Sequence, residues 1–403
     1  MKNIVITGAA RSAVGGYLGS LKTVEAQDLG AAAIRAAAER GGISLDQIDQ
    51  VIFGDVYGYT PNVARCASLL AGVPETTPAF TVDRQCASSL QAVQSGCYEI
   101  NAGEADIIVA GGVEVMSRMT YYLPPSARYE ALRLGDKPLY DTFSHGVTIV
   151  QPQAMYPGTN MGITAENVAE RYHITREELD AFSADSQRKT KEAQDAGKFV
   201  DEIFPFEVKQ KKGSFIFDKD EHPKPDTTQE SLSKLRPCFK DGGVVTAGNS
   251  SGMNDGSSAV VLMSEKKASE LHIKPLVKIL ATSSAGVDPR YMGMGPVPAI
   301  HKVLKKTGLT LEDIDLFELN EAFAAQSLGC LKELGMDMDT ELYKRVNVNG
   351  GAIAHGHALA NSGTRILTTL IYEMKRRKAR YGLATLCIGG GQGMAIIIEN
   401  CQD

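Results

Sequence analysis

Along the chain, short apolar runs alternate with longer stretches in which apolar residues recur at helical spacing. Ile4-Val5-Ile6 reads as a short buried strand, and Ala31 to Arg40 as an alanine-rich helix that stops at Gly41-Gly42. Val51-Ile52-Phe53 is the next strand. Farther on, a strand around Phe80-Thr81-Val82 leads into Leu90, Val93, Cys97 and Ile100, which share one helical face before Gly103. Ile366, Leu367, Leu370, Ile371 and Met374 form a second such face near the end of the chain. Alternation of this kind predicts an α/β layer fold with a largely parallel core.

The pattern also repeats. Ala33-Ile34 to Gly42, then Leu45-Asp46-Gln47-Ile48-Asp49, is answered 266 residues later by Ala299-Ile300 to Gly308, then Leu311-Glu312-Asp313-Ile314-Asp315. Ile107-Ile108-Val109-Ala110-Gly111-Gly112 is echoed by Leu386-Cys387-Ile388-Gly389-Gly390. Two echoes in the same order predict a duplicated α/β half. Between them, Met119 to Gly248 is rich in proline and polar residues, with one helical region from Thr164 to Gly197. Asn254 to Ser264 then returns as a strand. The expected organisation is a first half (1–118 plus 249–268), an inserted cap (119–248) and a second half (269–403).

Composition narrows the class. Of 403 residues, 43% are apolar and 22% charged, which excludes disorder, collagen and coiled-coil arrays. A net charge of −6 implies no broad cationic surface for nucleic acid or membrane. No apolar run approaches the roughly 20 residues of a spanning helix, and no signal-peptide core follows Met1. Seven scattered cysteines favour reduced thiols and a cytoplasmic setting. Forty glycines, about a tenth of the chain, point to many tight backbone turns.

Four places could carry chemistry. Cys86 stands at a strand-to-helix turn, where the partial positive charge of a helix N-terminus favours thiolate. A small buried cysteine under a helix would look the same. His357, in Gly350-Gly351-Ala352-Ile353-Ala354-His355-Gly356-His357, stands where a loop enters the Ile366–Met374 helix, as Cys86 does in the other half. No ligand cluster flanks the two histidines at metal spacing, so a base for a thiol is the better use, with His355 as a structural histidine. Cys387 precedes Gly389-Gly390-Gly391, whose successive N–H groups could meet a phosphate or oxyanion. Asn320-Glu321-Ala322-Phe323 ends a repeat strand, where polar groups either fit a crevice site or merely cap a helix. Val5-Ile6-Thr7-Gly8-Ala9-Ala10-Arg11 imitates a dinucleotide turn, but none of the 14 tyrosines has a lysine four residues on.

Taken in order, Asp83-Arg84-Gln85-Cys86-Ala87-Ser88-Ser89, Gly111-Gly112-Val113-Glu114-Val115-Met116-Ser117, Asn320-Glu321-Ala322-Phe323, Gly356-His357 and Cys387-Ile388-Gly389-Gly390-Gly391 resemble the motifs of the thiolase family. The resemblance covers essentially the whole chain. It implies two α/β halves in an α-β-α-β-α layering with an inserted loop domain. It further implies reversible condensation of two acetyl-CoA molecules to acetoacetyl-CoA and CoA, or thiolysis of longer 3-ketoacyl-CoA substrates, in lipid metabolism. Coenzyme A thioesters are then substrates, with no cofactor or metal, and the assembly is a homodimer or homotetramer. By resemblance Cys86 is acylated, His357 activates it and Cys387 moves the α-proton of the second substrate. His357 with a water held by Asn320 forms one oxyanion site; the N–H groups of Cys86 and Gly389 form the other. Ser231, Ala247, Ser251 and Phe323 match coenzyme A contacts, Lys224 stands where an arginine often meets the nucleotide, and Met161 lies at the acyl pocket.

The chain departs from the family at several points. Where the family usually reads Ala-Leu-Gly-His-Pro, this chain has Ala354-His355-Gly356-His357-Ala358, and Asn160 stands where many acetyl-specific members have histidine. Phe143 to Thr159 matches poorly. Losing the proline is expected to loosen φ after His357. Two rival readings are a decarboxylating ketoacyl synthase, against which Cys387 and the insertion argue, and a non-catalytic acyl-CoA-binding relative, against which the filled catalytic positions argue.

Overall fold

The computed structural model describes residues 2–130, 132 and 134–401. One ten-stranded sheet runs through the molecule in the order Leu316–Leu319, Tyr381–Ile388, Gln392–Asn400, Val277–Gly286, Ile4–Arg11, Asn254–Ser264, Ile107–Val115, Gln50–Gly54, Ala79–Val82, with Gly15–Gly16 beside Asn254–Ser264. The predicted duplication is visible in that order. From Ile4–Arg11 outward the first half adds a long returning strand, the echo strand, and two short parallel strands. The second half repeats this from Val277–Gly286, with an isolated parallel bridge at Val346 in the last place. The halves meet first strand to first strand, at Ile4↔Ile279, Val5↔Lys278 and Ile6↔Val277.

Three buried clusters order the layers. Helices Ala26–Arg40 and Val63–Ala71 bury their apolar faces against the outer side of the first half. Helices Ser88–Ala102 and Ser362–Arg377 lie in the middle, and their buried stripes join strand residues of both halves in one core. Pro296–Thr307 and Ala324–Glu333 cover the outer side of the second half, together with Met161–Arg171 and Arg176–Asp195. This is the expected helix–sheet–helix–sheet–helix arrangement, with the two sheet halves joined edge to edge.

The sheet is mixed, however, and not largely parallel. Parallel pairing is confined to the short strands Gln50–Gly54, Ala79–Val82, Leu316–Leu319 and their neighbours. The six long strands pair antiparallel with their long neighbours, because sheet neighbours are joined by a hairpin at Gly389–Gly391 or by distant returns. Ile4–Arg11 also extends through the glycine-containing run that imitates a dinucleotide turn. All eight of its residues are buried. Gly8 serves close packing: a Cβ there would collide with the Ala37 carbonyl of the helix lying on it.

The helical region expected from Thr164 to Gly197 is two helices. Met161–Arg171 ends before His173, at φ +51, and Arg176–Asp195 starts afresh from a Thr175–Glu178 capping box. The inserted segment is tied into the core by charge. Arg11, 1% exposed, pairs with Glu202 at 2.6 Å and with Asp220 at 2.7 and 3.0 Å.

Candidate active site

Strand Ala79–Val82 delivers the chain to a single turn of 3₁₀ helix, Gln85–Ala87, from which Ser88–Ala102 continues. Gln85 takes φ +48, which sets Cys86 at the lip of a cavity of about 480 Å³. The cavity wall brings together Cys86, His357, Cys387 and Gly389, with Met161, Ser251 and Phe323 around them. The backbone amides of Gly389 and Cys86 stand beside the Cys86 sulfur and favour its thiolate. An oxygen developing next to that sulfur would meet the same two donors. Gly390 and Gly391, at φ +84 and +87, turn the hairpin instead, so one amide of the triple glycine faces the site and not three.

The helix N-terminus does not make Cys86 a ready thiolate. Burial pushes its thiol up to about 12; the two amides pull it down, and Glu114 and Asp83 push it up further. Cys387, buried at the end of Tyr381–Ile388 among Met292, Ala322, Met161 and Phe323, is raised well above the usual thiol range by burial and then by Cys86. Both thiols therefore rest protonated, and a base must take the proton as the sulfur reacts.

His357 is placed to be that base. Its backbone N–H donates to Asn254 Oδ1 at 2.9 Å, and Asn254 Nδ2 donates to the Gly15 carbonyl at 2.9 Å, which fixes the peptide to the first half. Gly356, at φ +95, allows the bend, and the Asn254 amide occupies the space a Cβ would need. Ser362 Oγ lies 2.6 Å from Nδ1 and donates its own hydrogen to the Ala358 carbonyl at 3.0 Å. Nδ1 must then carry the ring proton, leaving a lone pair on Nε2. Nε2 is buried and has no hydrogen-bond partner. Burial, helped by the Arg365 cation, holds the imidazole down to about 4, so it is neutral at physiological pH.

Asn320 follows strand Leu316–Leu319, and its Nδ2 lies 3.5 Å from Nδ1 of His357; its buried Oδ1 has no partner. Glu321 braces the loop behind, accepting from Ser186 Oγ at 2.6 Å, Asn347 Nδ2 at 2.8 Å and the Ile353 amide at 3.3 Å. Lys224, Ser231 and Ala247 are exposed on the inserted segment and do not line the cavity. His355 is buried outside it, with Nε2 3.0 Å from the Asn349 carbonyl. The sequence reading passes over Ser362, Asn254 and the lining residues Phe143, Val147, Met253, Met292 and Leu359. Ser362 alone had a signal, a hydroxyl five residues after the histidine at the start of a helix. A larger cleft, about 720 Å³ at Glu25, Arg35, Phe206 and Lys209, holds no cysteine or histidine. Among the described residues no cluster could hold a metal ion, and no helix is long and apolar enough to cross a membrane.

The thiolase N-terminal domain family matches residues 4–266, and the thiolase C-terminal domain family residues 273–400. The chain belongs to the thiolase family. It is 48% identical over 401 residues to an acetyl-CoA acetyltransferase of Allochromatium vinosum, covering 99% of each chain. It is 49% identical, again over 401 residues and 99% of each chain, to that of Escherichia coli. Among solved structures, the Bacillus anthracis acetyl-CoA acetyltransferase superposes with a TM-score of 0.92 at 44% identity, over 99% of each chain. Human mitochondrial 3-ketoacyl-CoA thiolase in complex with CoA gives 0.92 at 41% identity, over 99% of this chain and 98% of that one.

Within this thiolase the departures find local explanations. Ala358 holds φ −79 without a proline ring, and its carbonyl receives the Ser362 hydroxyl. That hydrogen bond restrains the turn at the place where the family's proline ring is missing. Asn160 lines the cavity and caps Met161–Arg171 by accepting from the Ile163 amide at 3.0 Å.

Proposed function

We propose that this thiolase catalyses the reversible condensation of two acetyl-CoA molecules to acetoacetyl-CoA and CoA through an acyl-Cys86 intermediate. The observation that carries the reading is the meeting, in one cavity, of a sulfur held by two amides, a neutral histidine with a bare Nε2, and a second buried thiol. His357 Nε2 takes the Cys86 proton as the sulfur attacks the thioester carbonyl. The carbon–sulfur bond to CoA breaks, and CoA leaves with that proton. His357, neutral again, takes the Cys387 proton; the Cys387 thiolate removes the α-proton of the second acetyl-CoA, and the new carbanion attacks the acyl-Cys86 carbonyl. The Cys86–carbonyl bond breaks, and Cys86 recovers its proton from His357. Cys86 and Gly389 amides stabilise one developing oxyanion, and His357 with a water held by Asn320 the other.

In the same proposal, residues 119–248 form a loop domain that holds CoA between halves 1–118 plus 249–268 and 269–403. Ser251, Phe323 and Met161 take the pantetheine and acyl end. Exposed Ser231, Ala247 and Lys224 suit the polar nucleotide end. Seven free cysteines fit a reducing cytoplasm, and a dimer or tetramer working in lipid metabolism completes the reading. Brief incubation with acetyl-CoA followed by mass spectrometry tests it: one acetyl group should appear on Cys86 and be absent from Cys86→Ala. An unmodified wild type, or an adduct that survives in the variant, refutes it.

One observation favours a second reading, thiolysis of longer 3-ketoacyl-CoA substrates. The cavity wall beyond Gly389 is apolar, built from Phe143, Val147 and Val150 of helix Thr142–Ile149 and its end, with Leu359 and Met292 nearby. Initial thiolysis rates across chain lengths separate the two.

A further inference from the structure

The loop that carries His357 is gripped from two sides. On one side Asn254 holds the His357 amide to the first half. On the other stands His355, two residues earlier, at the end of the short helix Ala352–His355 and 1% exposed. Its Nε2 lies 3.0 Å from the Asn349 carbonyl and 3.4 Å from Thr190 Oγ1, and its Nδ1 lies 3.4 Å from Asp220 Oδ2. Its ring meets Phe199 edge-on at 4.9 Å, and the Arg11 guanidinium stands 5.4 Å from the Phe199 ring.

Thr190, Phe199 and Asp220 all belong to the inserted segment. Asp220 is itself immobilised, accepting both Nη groups of Arg11 and the Val14 amide at 2.8 Å. The aspartate is thus a fixed post, and the buried His355 Nδ1 is the catalytic loop's contact with it. Between this anchor and His357 lies Gly356 at φ +95, a pivot with no side chain to limit it. A loop pivoting on glycine next to the base needs both ends held, since a shift of about 1 Å at a reacting group can cost about a hundredfold in rate.

We infer that His355 is a positioning residue: through Asp220 it fixes the inserted segment to the catalytic loop and so sets the aim of His357 Nε2. The inference rests on the proposed role of His357 as base. His355 touches neither the cavity nor the reacting atoms, so its effect falls on the rate of acylation and not on substrate affinity.

The test uses the full-length chain and times Cys86 acetylation by rapid quench and mass spectrometry, alongside KM and thermal midpoint. His355→Leu keeps bulk but deletes all three polar contacts. It should slow acylation by about tenfold or more with KM changed less than about twofold. His355→Gln, which keeps an amide donor for the Asn349 carbonyl, should recover part of the rate. Ile300→Ala, a cavity in the outer core of the second half, should lower the thermal midpoint while leaving acylation within about twofold. A His355→Leu rate within twofold of wild type overturns the inference, as does an equal loss in Ile300→Ala. Should His355→Leu fail to fold, His355→Asn, too short to span to Asp220, carries the same expectation and the same overturning result. Wild-type protein that takes no acetyl group refutes the underlying thiolase reading and is distinct from both outcomes.

Discussion

Ser362 Oγ sits 2.6 Å from His357 Nδ1 and commits its only hydrogen to the Ala358 carbonyl. A hydroxyl so committed can only accept from the ring. The serine therefore chooses the tautomer, and the lone pair on Nε2 is its consequence. The same contact stiffens the turn after the histidine, where Ala358 keeps a φ of −79.

Removing that hydroxyl separates the two effects from any loss of binding. Ser362→Ala frees the imidazole to adopt either tautomer and to tilt. Because Ser362 does not line the cavity, KM should stay within about twofold while kcat for acylation drops by about tenfold or more. Steady-state rates over a range of acetoacetyl-CoA concentrations check this. A rise in KM at constant kcat would show that Ser362 shapes the binding surface instead.

Burial governs how Cys86 reacts with a small electrophile. With its thiol pushed up to about 12, the thiolate fraction in the free enzyme grows about tenfold for each pH unit through the neutral and mildly alkaline range. Iodoacetamide labelling of Cys86 should climb without a plateau between about pH 7 and pH 10. Peptide mapping of labelled protein reads this directly. A plateau near neutral pH would mean a preformed thiolate and would remove the need for His357 as base.

How much of this was open to sequence reasoning follows from the range of the forces involved. Strand-then-helix punctuation around Cys86 and His357 is local, so Phe80-Thr81-Val82, the Leu90–Ile100 face and the Ile366–Met374 stripe all appear where periodicity places them. The repeat was legible for the same reason. Strand direction was not, since it depends on where a distant strand returns; Asn254–Ser264 comes back antiparallel between Ile4–Arg11 and Ile107–Val115 after the whole insertion. Nor was the protonation of Cys86, because a helix N-terminus is visible in sequence and complete desolvation is not. The break at His173 was legible in principle from the Thr175-x-x-Glu178 capping box, but a continuous polar pattern masked it.

Cys387 separates the two half-reactions. It is buried at the end of its strand, and its thiol is held protonated by burial and by Cys86, so it can deliver or take up a proton only when a substrate α-carbon lies against it. Cys387→Ala should still acquire one acetyl group on Cys86 at close to the wild-type rate. Condensation to acetoacetyl-CoA should fall by about a hundredfold or more. Equal losses in both steps would assign Cys387 to packing of the cavity.

The same desolvation that keeps His357 neutral makes it an acid-sensitive element of the fold. Its folded value, about 4, lies below the ordinary 6.5, so the unfolded chain binds the proton more readily. The neutral ring's contribution is therefore complete above pH 6.5 and is lost as pH falls from there through 4. At full extent it is worth on the order of 3 kcal/mol. His222, also held down to about 4, chiefly by burial, titrates in the same window and is present in both proteins of a comparison. His357→Gln should accordingly lose stability less steeply than wild type on acidification across that window, by about one proton's worth of slope. Urea unfolding of the two proteins at half-unit steps of pH measures the difference. Parallel curves would mean that acid reaches the His357 ring without opening the fold, and that its burial is not what keeps it neutral.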